Sequence, residues 1–212
     1  MAKIEAGSSS AILTEVDTTF KALRASIRPM EMLGWYSVAG VSGALTGVAA
    51  AGPVFSLRNL ASNLLVVRRV GVTFGTTTAF TTAQALGYNL LFARSFTASD
   101  SGGTALAVTG SQNKHRTSLA TPTSLDMRIS STGALTAGTR TLDTVGLGVA
   151  YGSSTAVGTS LPPTTLLSHD AGDHPVVLAQ NEGLVVTNLI AMGAAGVINL
   201  SVNIEFAEAT AY

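Results

Sequence analysis

The sequence predicts an all-β fold, a jelly-roll-like antiparallel β-sandwich with a short amino-terminal arm, and three observations carry that expectation. The 212 residues are 46% hydrophobic and only 11% charged, and the apolar share, mostly Ala, Val and Leu, is threaded with 22 Gly and many Ser and Thr. That mixture suits strands and tight turns. Apolar and polar residues alternate with a period of two in several separate runs. The runs are separated by Gly/Ser/Thr-rich connections without alternating helices, which excludes a doubly wound α/β fold and leaves a sandwich, barrel or jelly roll. No fixed-period repeat points to a propeller or a β-helix.

Taken in order, residues 1–32 read as an arm and residues 33–212 as the sandwich domain, with the composition changing near Pro29. In the arm, Ile12, Val16, Phe20, Leu23 and Ile27 have helical spacing, although Val16, Thr18 and Phe20 also alternate like a strand before Pro29 ends either pattern. Segments 35–41 and 54–60 are the first expected strands. Segment 64–74 is a longer β-branched run, a central strand interrupted by Arg68 and Arg69, which project to opposite faces if it is extended. Segment 80–85 reads as a turn or a short helix.

Over 86–96, Leu86, Tyr88, Leu90, Phe92 and Phe96 share one face, with Arg94 in line with them at an edge or interface. Leu125, Met127 and Ile129 alternate with Asp126 and Arg128, and Val145, Leu147, Val149 and Tyr151 alternate with Gly146, Gly148 and Ala150. Two extended segments, 176–178 and 184–190, flank the turn-like Gln180-Asn181-Glu182-Gly183. The clearest strand is 197–206, where Ile198, Leu200, Val202, Ile204 and Phe206 alternate with Asn199, Ser201, Asn203 and Glu205.

Formal net charge is zero, so the chain as a whole lacks the field that draws proteins to nucleic acid or anionic membranes. Weak surface charge also gives little protection against self-association, which favours an oligomer. With no cysteine, thiolate catalysis, disulfides and cysteine-ligated metals are excluded. Residues 1–10 hold no apolar stretch of secretory type, so synthesis in a cytoplasm is expected. Segment 32–57 is free of charge and long enough to span a bilayer, but Gly34, Gly40, Gly43, Gly47, Gly52 and Pro53 punctuate it like turns, so no membrane association is expected.

Motifs for catalysis are scarce, and neither an enzyme nor a cofactor is expected. Gly47 and Gly52 have the spacing of a phosphate loop, but Pro53 and Val54 stand where Lys and Ser or Thr are needed. His169 and His174, with Asp170 and Asp173 between them, form the one cluster that suggests a metal. The spacing matches no established ligand pattern, and a solvated turn is the preferred reading, with no metal assigned. Lys114-His115-Arg116 is the densest basic run and reads as a solvated loop.

Phe20-Lys21-Ala22-Leu23-Arg24-Ala25-Ser26-Ile27-Arg28-Pro29 resembles the amino-terminal segment of uncharacterised virion proteins from tailed bacteriophages. Segments 175–184 and 191–208 are similar to the closing strands of the same group, and of phage jelly-roll decoration or fibre proteins more broadly. The resemblance covers both ends and is loose between them. It implies a particle-associated β-sandwich, often trimeric, with an arm on its neighbours and no catalytic residues. On that basis the leading expectation is a capsid decoration or cement protein located in the virion. It would be a homo-oligomer, a trimer on the pattern of the group, binding major capsid or other virion proteins through Ile12, Val16, Phe20, Leu23 and Ile27. The alternatives are a tail, neck or fibre component that contacts the host receptor, and a bacterial surface carbohydrate-binding or adhesin module.

Overall fold

The computed structural model describes residues 32–122, 125–169 and 174–210. The expected arm residues Ile12, Val16, Phe20, Leu23 and Ile27, like Asp170 and Asp173, lie outside them. The described residues are all-β, without a helix, and form β1 (Met32–Val41), β2 (Pro53–Asn59), β3 (Leu64–Thr78), β4 (Gln84–Ala98), β5 (Thr104–Ala105), β6 (Leu125–Ile129), β7 (Thr139–Leu142), β8 (Gly148–Ser154), β9 (Ser160–Ser168), β10 (Val176–Leu178), β11 (Gly183–Asn188) and β12 (Val197–Ala209). The expected turn or helix over 80–85 is a bend that leads directly into β4.

Two antiparallel sheets form a sandwich. The first runs β1-β12-β3-β10, with β9 also on β3, and the second runs β5-β6-β2-β11-β4-β7, with β8 also on β4. β9 and β10 pair with successive parts of β3, and β8 and β7 with successive parts of β4, so each couple acts as one broken strand. The main pairings are then β1 with β12, β2 with β11, β3 with β9/β10 and β4 with β7/β8. A ribbon of paired strands thus passes back and forth between the sheets, which is the double Greek key of a jelly roll.

The core lies between the sheets. In β12, Ile198, Leu200, Val202, Ile204 and Phe206 all point into it, as the alternation predicts. From β3 and β4, the Phe74 and Tyr88 rings meet across the sandwich with centroids 6.1 Å apart. Buried amides hold the connections: Asn188 Nδ2 donates to the carbonyls of Val48 at 2.9 Å and Ile190 at 2.6 Å. Asn59 Nδ2 donates to those of Asn63 at 2.6 Å and Leu178 at 3.0 Å.

Two faces differ from expectation. Arg68 and Arg69 do not project to opposite sides: the register slips between Glu205 and Phe206, which face Arg69 and Val67. Arg68 is the extra residue of a bulge, and both arginines are exposed between the core residues Val67 and Val70. Phe96 does not share the face of Leu86, because Ser95 adopts φ 49° and turns the strand over. It joins Ala93 and Val185 in a separate cluster on the outer side of the second sheet. In β8 the bulkier side chains Val149 and Tyr151 face out and Ala150 faces in.

Candidate functional site

The outer face of the first sheet gathers the most varied chemistry. The strict alternation of β1 sends Tyr36 inward, fully buried, and leaves its neighbour Trp35 half-buried on the outside. Trp35 Nε1 donates to Glu205 Oε1 at 2.9 Å, from the adjacent β12. The bulge in β3 brings Arg68 over the indole, 5.2 Å from its centroid and 3.9 Å from the same carboxylate. His115 stacks on the indole at 5.6 Å, and its Nε2 lies 2.6 Å from Ser37 Oγ.

These contacts fix the loop that contains His115 along the edge of β1. Ser37 N donates to Asn113 O at 2.9 Å, and His115 N to Trp35 O at 3.0 Å, so the loop satisfies the edge as an extra strand would. Lys114 Nζ donates to Leu119 O at 2.8 Å and Thr121 Oγ1 at 3.0 Å, closing the loop on itself. Two of the three residues in the expected solvated basic run therefore have structural partners. Farther along the same face, Arg69, Thr73, Pro163, Thr164, Ser201 and Asn203 line a shallow groove of about 110 Å³. Ligand pockets usually measure ~300–1,000 Å³.

Neither His169 nor His174 belongs to a metal-ligating group among the described residues. The His169 backbone N–H donates to Arg68 O at 3.0 Å, and His174 is exposed. Among the described residues, no group of three or more His, Cys, Asp or Glu side chains is placed to hold a metal ion. Likewise, no described helix is long and apolar enough to cross a membrane.

Two ionic clusters sit on the second sheet. Arg94, expected at an edge or interface, has its guanidinium 4.1 Å from the Phe92 centroid, 2.7 Å from Glu182 Oε1 and 3.6 Å from Asp143 Oδ2. The hydrogen bond it donates to Glu182 raises its pKa most, against the opposing effect of burial. Phe96 lies between the guanidinium groups of Arg58 and Arg140, 5.7 and 5.1 Å from its centroid. Arg140 is ion-paired with the buried carboxylate of Asp100, which also accepts from Gly138 N at 2.9 Å, and burial lowers the Arg140 pKa.

The last feature is apolar. Val145 (80% exposed), Leu147, Val149 and Tyr151 (60%) all face solvent, while Gly148, Ala150 and Gly152 face inward. The sequence alternation is present, but its bulky side points outward. The cause is the close approach of β9: a Cβ on Gly148 would collide with the Leu166 carbonyl, and one on Gly152 would stand 3.2 Å from Leu161 Cδ1 and 3.3 Å from Phe74 Cζ. Only small residues fit on that side. Leu189, also exposed, lies beside Tyr151 over Gly87 and extends the stripe onto β4.

Comparison with protein-family models, with curated proteins and with solved structures gave no match to this chain.

Proposed function

We propose that this chain is a structural protein of a tailed-bacteriophage virion, a homo-oligomer that decorates or cements the capsid. In this reading Ile12, Val16, Phe20, Leu23 and Ile27 of the arm bind neighbouring subunits, and the sandwich is the rigid body they tether. The observation that carries it is the jelly-roll connectivity, an architecture used by viral capsid and lectin domains. A fold hosts many functions, so the resemblance of the terminal segments to phage virion proteins is the second support. The polar chemistry agrees: Asn59, Asn188, His115, Arg58 and the Asp100–Arg140 pair hold loops to strands, which suits a scaffold.

Mass spectrometry of purified virions, with copy number per particle, tests the reading. Hundreds of copies are expected for a decoration protein. A handful would move the chain to a vertex, neck or fibre position, and absence from the particle would overturn the proposal.

The groove beside Asn203 favours one second reading, a carbohydrate-binding module. Arg69, Thr73, Ser201 and Asn203 offer the donors and acceptors that sugar hydroxyls require. Against it, Trp35 already packs against His115 and Arg68. A glycan array in which no sugar binds would discard this reading.

A further inference from the structure

We infer that the exposed apolar patch formed by Val149 and Tyr151 of β8, by Val145 and Leu147 of the segment leading into it, and by Leu189 is a contact surface for a second copy of this chain. The inference rests on the homo-oligomer part of the proposed function and assigns a surface to it.

The first argument is the contrast with the other sheet edges. Edge strands invite unwanted pairing and are normally blunted by short length, by proline, by charge or by a covering loop. β1 is covered by residues 113–115. β9 carries the exposed Pro162 and Pro163. β5, β7 and β10 have two, four and three residues. β8 has seven residues, no proline and no charge, and it presents its larger side chains to solvent. Among the described residues it is the edge strand that carries none of these guards on its outer face.

The second argument is the extent of the patch. The five side chains are 36–80% exposed, which leaves on the order of 400 Å² uncovered. That is within the range where patches on monomers are often functional. It is about half of what each partner gives to a standard interface, so the stripe suits the centre of a contact with a polar rim.

The third argument concerns the occupant. No Asp, Glu, Lys, Arg or His occurs from residue 144 to 168, so nothing on β8 or β9 calls for a partner of opposite charge. With zero net charge on the chain, a second copy approaches such a surface without a long-range penalty.

The full-length protein should be measured by light scattering beside Val149→Glu/Tyr151→Glu and, as a control on another exposed valine, Val41→Glu. The wild type and Val41→Glu are expected to be oligomers, and the double variant to fall to a smaller species with an unchanged far-ultraviolet spectrum. Because the chain has no cysteine, single substitutions give a second readout that does not depend on tolerating charge. Maleimide should label Val149→Cys at least roughly tenfold more slowly than Val41→Cys. An oligomer whose size survives Val149→Glu/Tyr151→Glu, with Val149→Cys labelled as fast as Val41→Cys, overturns the assignment of β8 and leaves the homo-oligomer standing. A monomeric wild type overturns both. If Phe20→Asp/Leu23→Asp unmasks the Val149→Cys thiol without changing the oligomer's size, the chain's own arm covers the stripe, and the second-copy contact is rejected.

Discussion

Tyr36 and Tyr88 bury their rings fully in one core and differ at the hydroxyl. Tyr36 Oη donates to Ala120 O at 2.7 Å, whereas Tyr88 Oη has no hydrogen-bond partner among the described residues. The same substitution should therefore have opposite signs. Tyr36→Phe loses a hydrogen bond and leaves a carbonyl unmatched, at a cost of ~1 kcal/mol, while Tyr88→Phe removes a stranded polar group and should be neutral or stabilising by about the same amount. Urea titration of both variants checks this. Burial pushes the Tyr36 hydroxyl up from 10.0 to about 12, with the nearby Glu208 carboxylate adding to the effect, and burial raises Tyr88 as well. A phenol that holds its proton more tightly when folded contributes full stability below its unfolded pKa and loses it as pH rises through the folded value. The urea midpoint should accordingly fall between pH 10 and about 12, less steeply in Tyr36→Phe. Arg140 presents the converse problem. Its side chain is 4% exposed and its partner Asp100 is 0% exposed, so Arg140→Met leaves a carboxylate buried without its counter-ion, for which ~3–5 kcal/mol is the usual cost. Arg140→Met with Asp100→Leu should recover a large part of that loss.

At the scale of the strand, β8 makes its glycines specific. The atom facing Gly148 is a backbone carbonyl, which cannot move aside, whereas the atoms facing Gly152 are the ends of the Leu161 and Phe74 side chains. Gly148→Ala should cost ~1–3 kcal/mol by overpacking, and Gly152→Ala less, a ranking that thermal unfolding can read. The same strand shows how far the sequence could be read. Alternation located β12, β4 and β6, a β-branched run located β3 and the turn after it located β10, and β6 and β10 have the expected bounds. Alternation also found β8 but left its buried face unassigned, since it reports that two faces differ and not which one meets a neighbour at close range. β9 was missed because Pro162 and Pro163 argue against a strand. They are tolerated there because pairing with β3 skips them between Leu161 and Thr164 on an edge. The Trp35 cluster was only half legible: adjacent Trp35 and Tyr36 in a strand must face opposite sides, but the bulge that delivers Arg68 leaves no mark in a run of β-branched residues.

For the molecule as a whole, the two ends of the described chain are laced together. β1 pairs with β12, and β12 lies between β1 and β3, so closing the first sheet requires the first and last strands of the described chain to meet. Contacts this distant in sequence carry a high closure entropy and fold slowly, on the ms–s scale or longer. One hydrophobic cluster nonetheless runs through both sheets, from Tyr36 and Phe206 to Phe55 and Leu184, so the two sheets share their main core and only small outer clusters such as Ala93, Phe96 and Val185 belong to one sheet. Equilibrium unfolding is therefore expected to be cooperative. The single Trp makes the test clean, because Trp35 sits on β1 and is held by Glu205 of β12, reporting the one pairing that closes the ribbon. Trp fluorescence and far-ultraviolet circular dichroism should give the same urea midpoint, and fluorescence should recover last on refolding. If the Trp signal melts well before the dichroism, β1 and β12 come apart while the rest stays folded. The sandwich would then be two cooperative units, and the continuous core would not be what holds the two sheets together.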